Sequence, residues 1–143
     1  MTYSDLFLGG IELIQIDKSV AAQMIAHALE DEPNECCGFV AGYKEEFNKV
    51  YRMTNVEGSP YRFSMDSHEL FQVTREIEDN EWDKIIYHSH THTEAYPSDT
   101  DIRLASYPDA YYLIVSLMQK ESPTIRVFRI VDSVVSEVPF QVT

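Results

Sequence analysis

Near the start of the chain, Ile11, Leu13 and Gln15 alternate with Glu12, Ile14 and Ile16, a period of two that predicts a short strand buried on at least one face. The period then changes. Asp17 reads as a helix N-cap, and Val20, Ala21, Met24, Ile25 and Ala28 recur at helical spacing until Pro33 forbids the helix to continue. Residues 37–43, Cys-Gly-Phe-Val-Ala-Gly-Tyr, predict a buried strand with glycines where another backbone can come close. A second strand is expected over 48–56, paired with the first through the charged turn Lys44-Glu45-Glu46. Gly58-Ser59-Pro60 breaks that run, and Tyr61 to Met65 alternates as a further short strand. Asp66 or Ser67 then caps a helix to about Asn80, with Leu70, Phe71, Val73 and Ile77 inward.

Asp83 to Ser89 reads as a strand around the apolar core Ile85-Ile86-Tyr87. A polar stretch, 90–98, separates it from a short helix over 99–107 that Pro108 closes. Three more strands are expected at 111–118, 124–131 and 134–142, the last two joined by a tight turn at Asp132-Ser133. Residues 1–10 read as a loose, flexible N-terminal arm ending in Gly9-Gly10, and residues 11–143 as one domain. This order of elements predicts a single mixed β-sheet flanked by helices, an α+β form of the α/β class and not a regularly alternating doubly wound fold.

Composition narrows the function classes. With 24 acidic residues against 11 basic ones the formal net charge is -13, so a nucleic acid would be repelled and none is expected as a partner. The bland reading of that charge is solubility. Cys36 and Cys37 are adjacent, a spacing that strains a disulfide, and no framework of spaced cysteines exists, which points to a reducing compartment. The first residues lack the basic start and apolar core of a secretory signal, and no apolar run is long enough to cross a bilayer. A cytoplasmic protein with no membrane partner is expected.

The candidate chemistry lies in His88-Ser89-His90-Thr91-His92, directly after the strand Lys84-Ile85-Ile86-Tyr87. On extended chain, residues two apart share a face, so His88 and His90 can aim two imidazoles at one metal ion. A catalytic zinc takes three protein ligands and leaves a fourth position to water. His92, Glu94, Asp99 and Asp101 are all candidates for the third, and chemistry alone leaves the choice open. Ser98-Asp99-Thr100-Asp101 also matches a capping box, a purely structural role that could at the same time aim Asp101. Hydrolysis further needs a carboxylate to move protons. Glu35 stands at the opening of the buried strand, although a charge in such a place is ordinarily just exposed.

Together these residues resemble a known signature. His88-x-His90, seven residues, Ser98, two residues and Asp101, with Glu35 upstream in Pro33-Asn34-Glu35-Cys36-Cys37-Gly38, look like the JAMM (MPN-plus) metalloprotease family over roughly residues 15–140. Within it the chain is most similar to short bacterial hydrolases that release cysteine from a sulfur-carrier protein. Ile86 to Thr91, Glu94 to Ser98 and Met53-Thr54-Asn55 carry that similarity.

The resemblance implies a JAMM/MPN, cytidine-deaminase-like architecture. It implies one Zn2+ held by His88, His90 and Asp101, Glu35 as general acid/base through the metal's water, and Ser98 as donor to the oxyanion. The implied partner is a ubiquitin-like sulfur-carrier protein with a C-terminal diglycine, cut from an attached cysteine in cysteine biosynthesis. Removal of ubiquitin-like modifiers from protein lysines is the alternative activity, and a catalytically silent MPN scaffold a further one. A zinc storage module would make His92 a fourth ligand; otherwise His92 is surplus. Cys37 is expected to pack as a small apolar residue, and Cys36 receives no role.

Overall fold

The computed structural model describes the backbone of Phe7–Leu8 and of residues 11–143, with side chains from residue 13 onward; most of the expected arm lies outside the described residues. Phe7–Leu8 (β1) pairs antiparallel with Ile11–Glu12 (β2). Ile14–Ile16 (β3) leads into Lys18–Asp31 (α1), whose N-cap Asp17 accepts the Ser19 N–H at 2.9 Å as its sequence predicts. Cys37–Tyr43 (β4) and Glu46–Met53 (β5) form a hairpin through Lys44-Glu45, both left-handed (φ 52° and 67°), the two-residue turn that matches strand twist. Ser67–Asp79 (α2), Asp83–His90 (β6), Asp99–Leu104 (α3) and Tyr111–Ser116 (β7) follow, then Thr124–Val131 (β8), Val134–Val138 (β9) and Phe140–Val142 (β10).

The eight longer-range strands form one mixed sheet in the order β10-β3-β5-β4-β6-β7-β8-β9. β3 runs parallel to β5 and β10, β6 runs parallel to β7, and the remaining pairs are antiparallel. The strand expected over 134–142 is divided at Pro139, which has no N–H to give to a ladder. Its two halves sit at opposite ends of the strand order. One residue cannot span an open eight-stranded sheet, so the sheet curls until its edges meet.

Alternation along the strands sorts side chains onto two faces. Ile14, Ile16, Val40, Ile85, Tyr87 and Leu113 pack with Val20, Met24 and Ala28 of α1. Cys37, Phe39, Ala41 and Ile86 face the other way, where α2 supplies Ile77 and α3 contributes Ile102. Each fully buried aliphatic side chain contributes about 1.5–3 kcal/mol. Tyr87 is hydrogen-bonded to His27 Nδ1 of α1 at 2.7 Å, which ties β6 to the helix behind it. Gly38 is required beside it: a Cβ there would collide with the Tyr87 ring and the Tyr51 carbonyl.

Three local expectations fail. Tyr61 to Met65 is not a strand, since only Met65 forms a bridge, to Asn55. The Asn55 side chain takes the backbone groups instead, donating to the Arg62 carbonyl (3.2 Å) and accepting from the Ser64 N–H (3.1 Å). Phe71 is 62% exposed, because α2 rests on Leu70, Val73 and Ile77 and turns position 71 outward. α3 stops at Leu104, where Ala105 turns extended (ψ 109°) and Ala105 and Tyr107 pack against the sheet.

Candidate metal centre

His88 and His90 share the parity of Ile86, so both leave β6 on the face covered by α2 and α3. They are 3% and 5% exposed. At the N-terminus of α3, Ser98 Oγ accepts the Asp101 N–H (3.1 Å) while the Ser98 N–H donates to Asp101 Oδ2 (2.9 Å), a reciprocal capping box. The same Oδ2 lies 3.1 Å from His88 Nε2 and 3.0 Å from His90 Nε2, and the two Nε2 atoms are 3.1 Å apart. Cap and aim are thus one arrangement.

His90 Nδ1 faces the Glu94 backbone carbonyl at 2.9 Å, and only the ring nitrogen can donate there. In the neutral ring His90 Nε2 is then a bare lone pair, as a metal ligand must be. Three such atoms on one point repel one another unless a cation or a proton sits among them. The protonation tendencies express that demand. Burial opposes charge on Asp101, yet its bonds to His88 and His90 hold the carboxyl well below the ordinary carboxylate range. Burial likewise opposes charge on His90, but the Asp101 carboxylate and Glu94 carbonyl raise it above the ordinary imidazole value. Among the described residues, His88, His90 and Asp101 form the group whose ligand atoms, within 4.8 Å of one another, could hold a metal ion.

The β4–β6 register pairs Cys37 with His88, and the Ser89 N–H donates to the Cys36 carbonyl at 3.1 Å. Continuing that antiparallel register places Glu35 across from His90. Its backbone is clamped by the Ser59 carbonyl (2.9 Å) and the Asn55 amide (3.0 Å), and Ser89 Oγ accepts the next N–H, of Cys36, at 2.8 Å. The carboxyl is 4% exposed and its Oε1 has no hydrogen-bond partner. Burial pushes its pKa up to about 8, with His90 lowering and Asp101 raising it. The ordinary exposure of a charged strand opener does not hold here. A buried, unpartnered carboxyl beside three side chains that could hold a metal ion is a group suited to proton transfer.

His92, Glu94 and Asp99 are exposed and do not join the trio. Cys36 and Cys37 are free and wholly buried, on opposite faces of the sheet, and burial pushes both thiols up to about 12, out of reach of thiolate chemistry. Sequence reasoning missed the Glu94 carbonyl, which no residue type announces, and Phe63, which stacks on His88 with ring centroids 4.6 Å apart. Beside His88 and Asp101 opens a cleft of about 310 Å³ walled by Phe63, Met65, Leu70, Leu104 and Tyr112, with Arg62 among its lining.

The chain belongs to the family described as prokaryotic homologs of the JAB domain, matched over residues 17–131. Among curated proteins it is 42% identical over 137 residues to the CysO-cysteine peptidase of Mycobacterium tuberculosis, covering 94% of each chain. It is 33% identical over 101 residues to the desampylase of Haloferax volcanii, covering 65% of this chain and 73% of that one. A solution structure of a Desulfitobacterium hafniense protein superposes with TM-score 0.80 at 34% identity, covering 91% of this chain and 92% of that one.

Proposed function

We propose that this protein is a zinc-dependent hydrolase that cuts the bond between the C-terminal glycine of a ubiquitin-like sulfur carrier and an attached cysteine, in the cytoplasm, as a step of cysteine biosynthesis. That the chain is a hydrolase follows from its family and from relatives named as peptidases. The observation that carries the catalytic reading is Glu35, buried and unpartnered across from His90. The 42% identity to a CysO-cysteine peptidase supports the substrate.

His88, His90 and Asp101 would hold the metal, and two imidazoles with one carboxylate suit zinc. When bound, the ion supplies positive charge and Lewis acidity, lowering the pKa of a water and of the adjacent Glu35. Glu35, as carboxylate, takes a proton from the attacking water and delivers it to the nitrogen of the departing cysteine. Ser98 Oγ already accepts from the Asp101 N–H, so its own hydroxyl proton remains free to donate to the oxyanion as the carbonyl becomes tetrahedral. The apolar cleft beside His88 receives the carrier's tail and excludes water around the scissile amide. Retention of Glu35, both histidines, Ser98 and Asp101 speaks against a silent scaffold.

Removal of modifiers from protein lysines is the second reading, favoured by the likeness to a desampylase. The test is to offer the purified protein a carrier-cysteine adduct and a lysine-linked carrier conjugate, with and without chelator, and to follow products by mass spectrometry. Free cysteine released only without chelator is expected. Release of lysine-linked carrier with no cleavage of the cysteine adduct would reverse the ranking.

A further inference from the structure

The two histidines of the metal centre are supported unequally. His88 Nδ1 is buried with no hydrogen-bond partner, and behind the ligand atoms its ring has only ring contacts, stacked on Phe63 and edge-on to His90 with centroids 5.0 Å apart. His90 is oriented by a hydrogen bond, so the precision of the site depends on what holds the Glu94 carbonyl. Glu94 lies in a segment, 91–97, that is neither helix nor strand. No ladder fixes that oxygen.

A backbone bond from Tyr96 does so instead, and side chains of β7, β8 and β9 hold the residues on either side of it. The Glu94 oxygen accepts a second hydrogen bond, from the Tyr96 backbone N–H at 2.9 Å. Just before it, Ser116 Oγ of β7 donates to the Thr93 carbonyl at 2.5 Å. Just after it, Ala95 is buried against Ile114 and Phe128. The Tyr96 ring stands edge-on to Phe128 of β8, with centroids 5.4 Å apart. Arg126 lies over both rings, at 5.7 Å from Tyr96 and 5.2 Å from Phe128. Glu137 of β9 fixes that guanidinium with two bonds, of 2.9 and 2.7 Å.

We infer that Tyr96 is a positioning residue for the metal ligand His90, acting through the Glu94 carbonyl, with Phe128, Arg126 and Glu137 as its backing. The inference rests on the metal reading given above. Tyr96 is 43% exposed and contributes little to the core, so removing its ring loosens the carbonyl more than it loosens the fold. The ring makes these contacts, not the hydroxyl, and phenylalanine should replace it without loss. Partners that orient a ligand from behind typically govern metal affinity by about ten- to a hundredfold when removed.

The experiment measures zinc affinity by chelator competition, and the melting temperature of the metal-free protein, for wild type, Tyr96→Ala, Tyr96→Phe and the exposed-aromatic control Phe71→Ala. Tyr96→Ala should weaken zinc binding by about tenfold. Tyr96→Phe should match wild type, and the metal-free melting temperature of Tyr96→Ala should fall no further than that of Phe71→Ala. The His90 Nδ1–H proton resonance, held by the carbonyl in wild type, should broaden in Tyr96→Ala and persist in Tyr96→Phe. Unchanged zinc affinity in Tyr96→Ala, or equal losses in both Tyr96 variants, overturns the inference. If Tyr96→Ala fails to fold, Arg126→Ala takes its place, and unchanged affinity there has the same force. Wild type that takes up no zinc defeats the metal reading itself, a result distinct from any difference among the variants.

Discussion

Replacing Glu35 by glutamine should make the metal-free protein more resistant to unfolding as pH rises, while removing the group proposed to move protons. The carboxyl has an ordinary value of 4.5 when unfolded and about 8 in the fold, chiefly through burial. Below the unfolded value it is protonated in both states and folding loses nothing. Above it, the unfolded chain releases a proton that the folded chain retains, and stability falls until the folded value is passed. At ~1.4 kcal/mol per pH unit, wild type loses on the order of 3 kcal/mol from this group by about pH 7, and between about 4 and 5 kcal/mol above pH 8. A buried amide carries its own desolvation cost, about 1–3 kcal/mol, but that cost does not vary with pH. The readout is therefore the slope of the difference between the two proteins. Urea unfolding of chelator-treated wild type and Glu35→Gln across pH 4.5 to 8.5 measures it. The difference should move steadily in favour of Glu35→Gln with rising pH and level off near the folded value. Parallel curves would show that the carboxyl is solvated, and the assignment of Glu35 as a buried proton carrier would fail.

With zinc loaded, Glu35→Gln should keep stoichiometric metal yet lose about 10²–10⁴-fold in turnover of the carrier-cysteine adduct, read by cysteine release. Ser98→Ala should lower kcat by about 10²-fold with little change in KM, and destabilise α3 by about 1 kcal/mol through loss of the cap, seen by thermal unfolding. Asp101→Asn should release zinc to a chelator far more readily than wild type, because one of three ligands loses its charge. His92→Ala should leave zinc content unchanged by elemental assay, since His92 is exposed and outside the trio; loss of metal there would favour a closed storage site.

Much of the frame was legible because it is local. Asp17 and Asp66 cap their helices where short polar side chains precede apolar stripes. The Ser98–Asp101 box needs only three residues' spacing, and His88 and His90 share a face because a strand alternates. The mixed sheet followed from the order of such segments. Where a local rule met competition it failed: Asn55 captured the backbone of 61–65, and Pro139 sent the last strand to the far edge.

The choice of Asp101 over His92, and the state of Glu35, were decided elsewhere. His92 is nearer in sequence but lies beyond the end of β6, where the chain no longer alternates and the ring turns to solvent. Asp101 reaches the histidines because α3 lands on that face of the sheet. Glu35 is a hydrated surface charge by composition and a desolvated carboxyl by register, since antiparallel pairing sets it across from His90 and the Ser59 and Asn55 clamps hold it there. Periodicity and caps travel with a few neighbouring residues. Convergence and desolvation depend on strands and loops dozens of residues apart, and those exist only once the chain has folded.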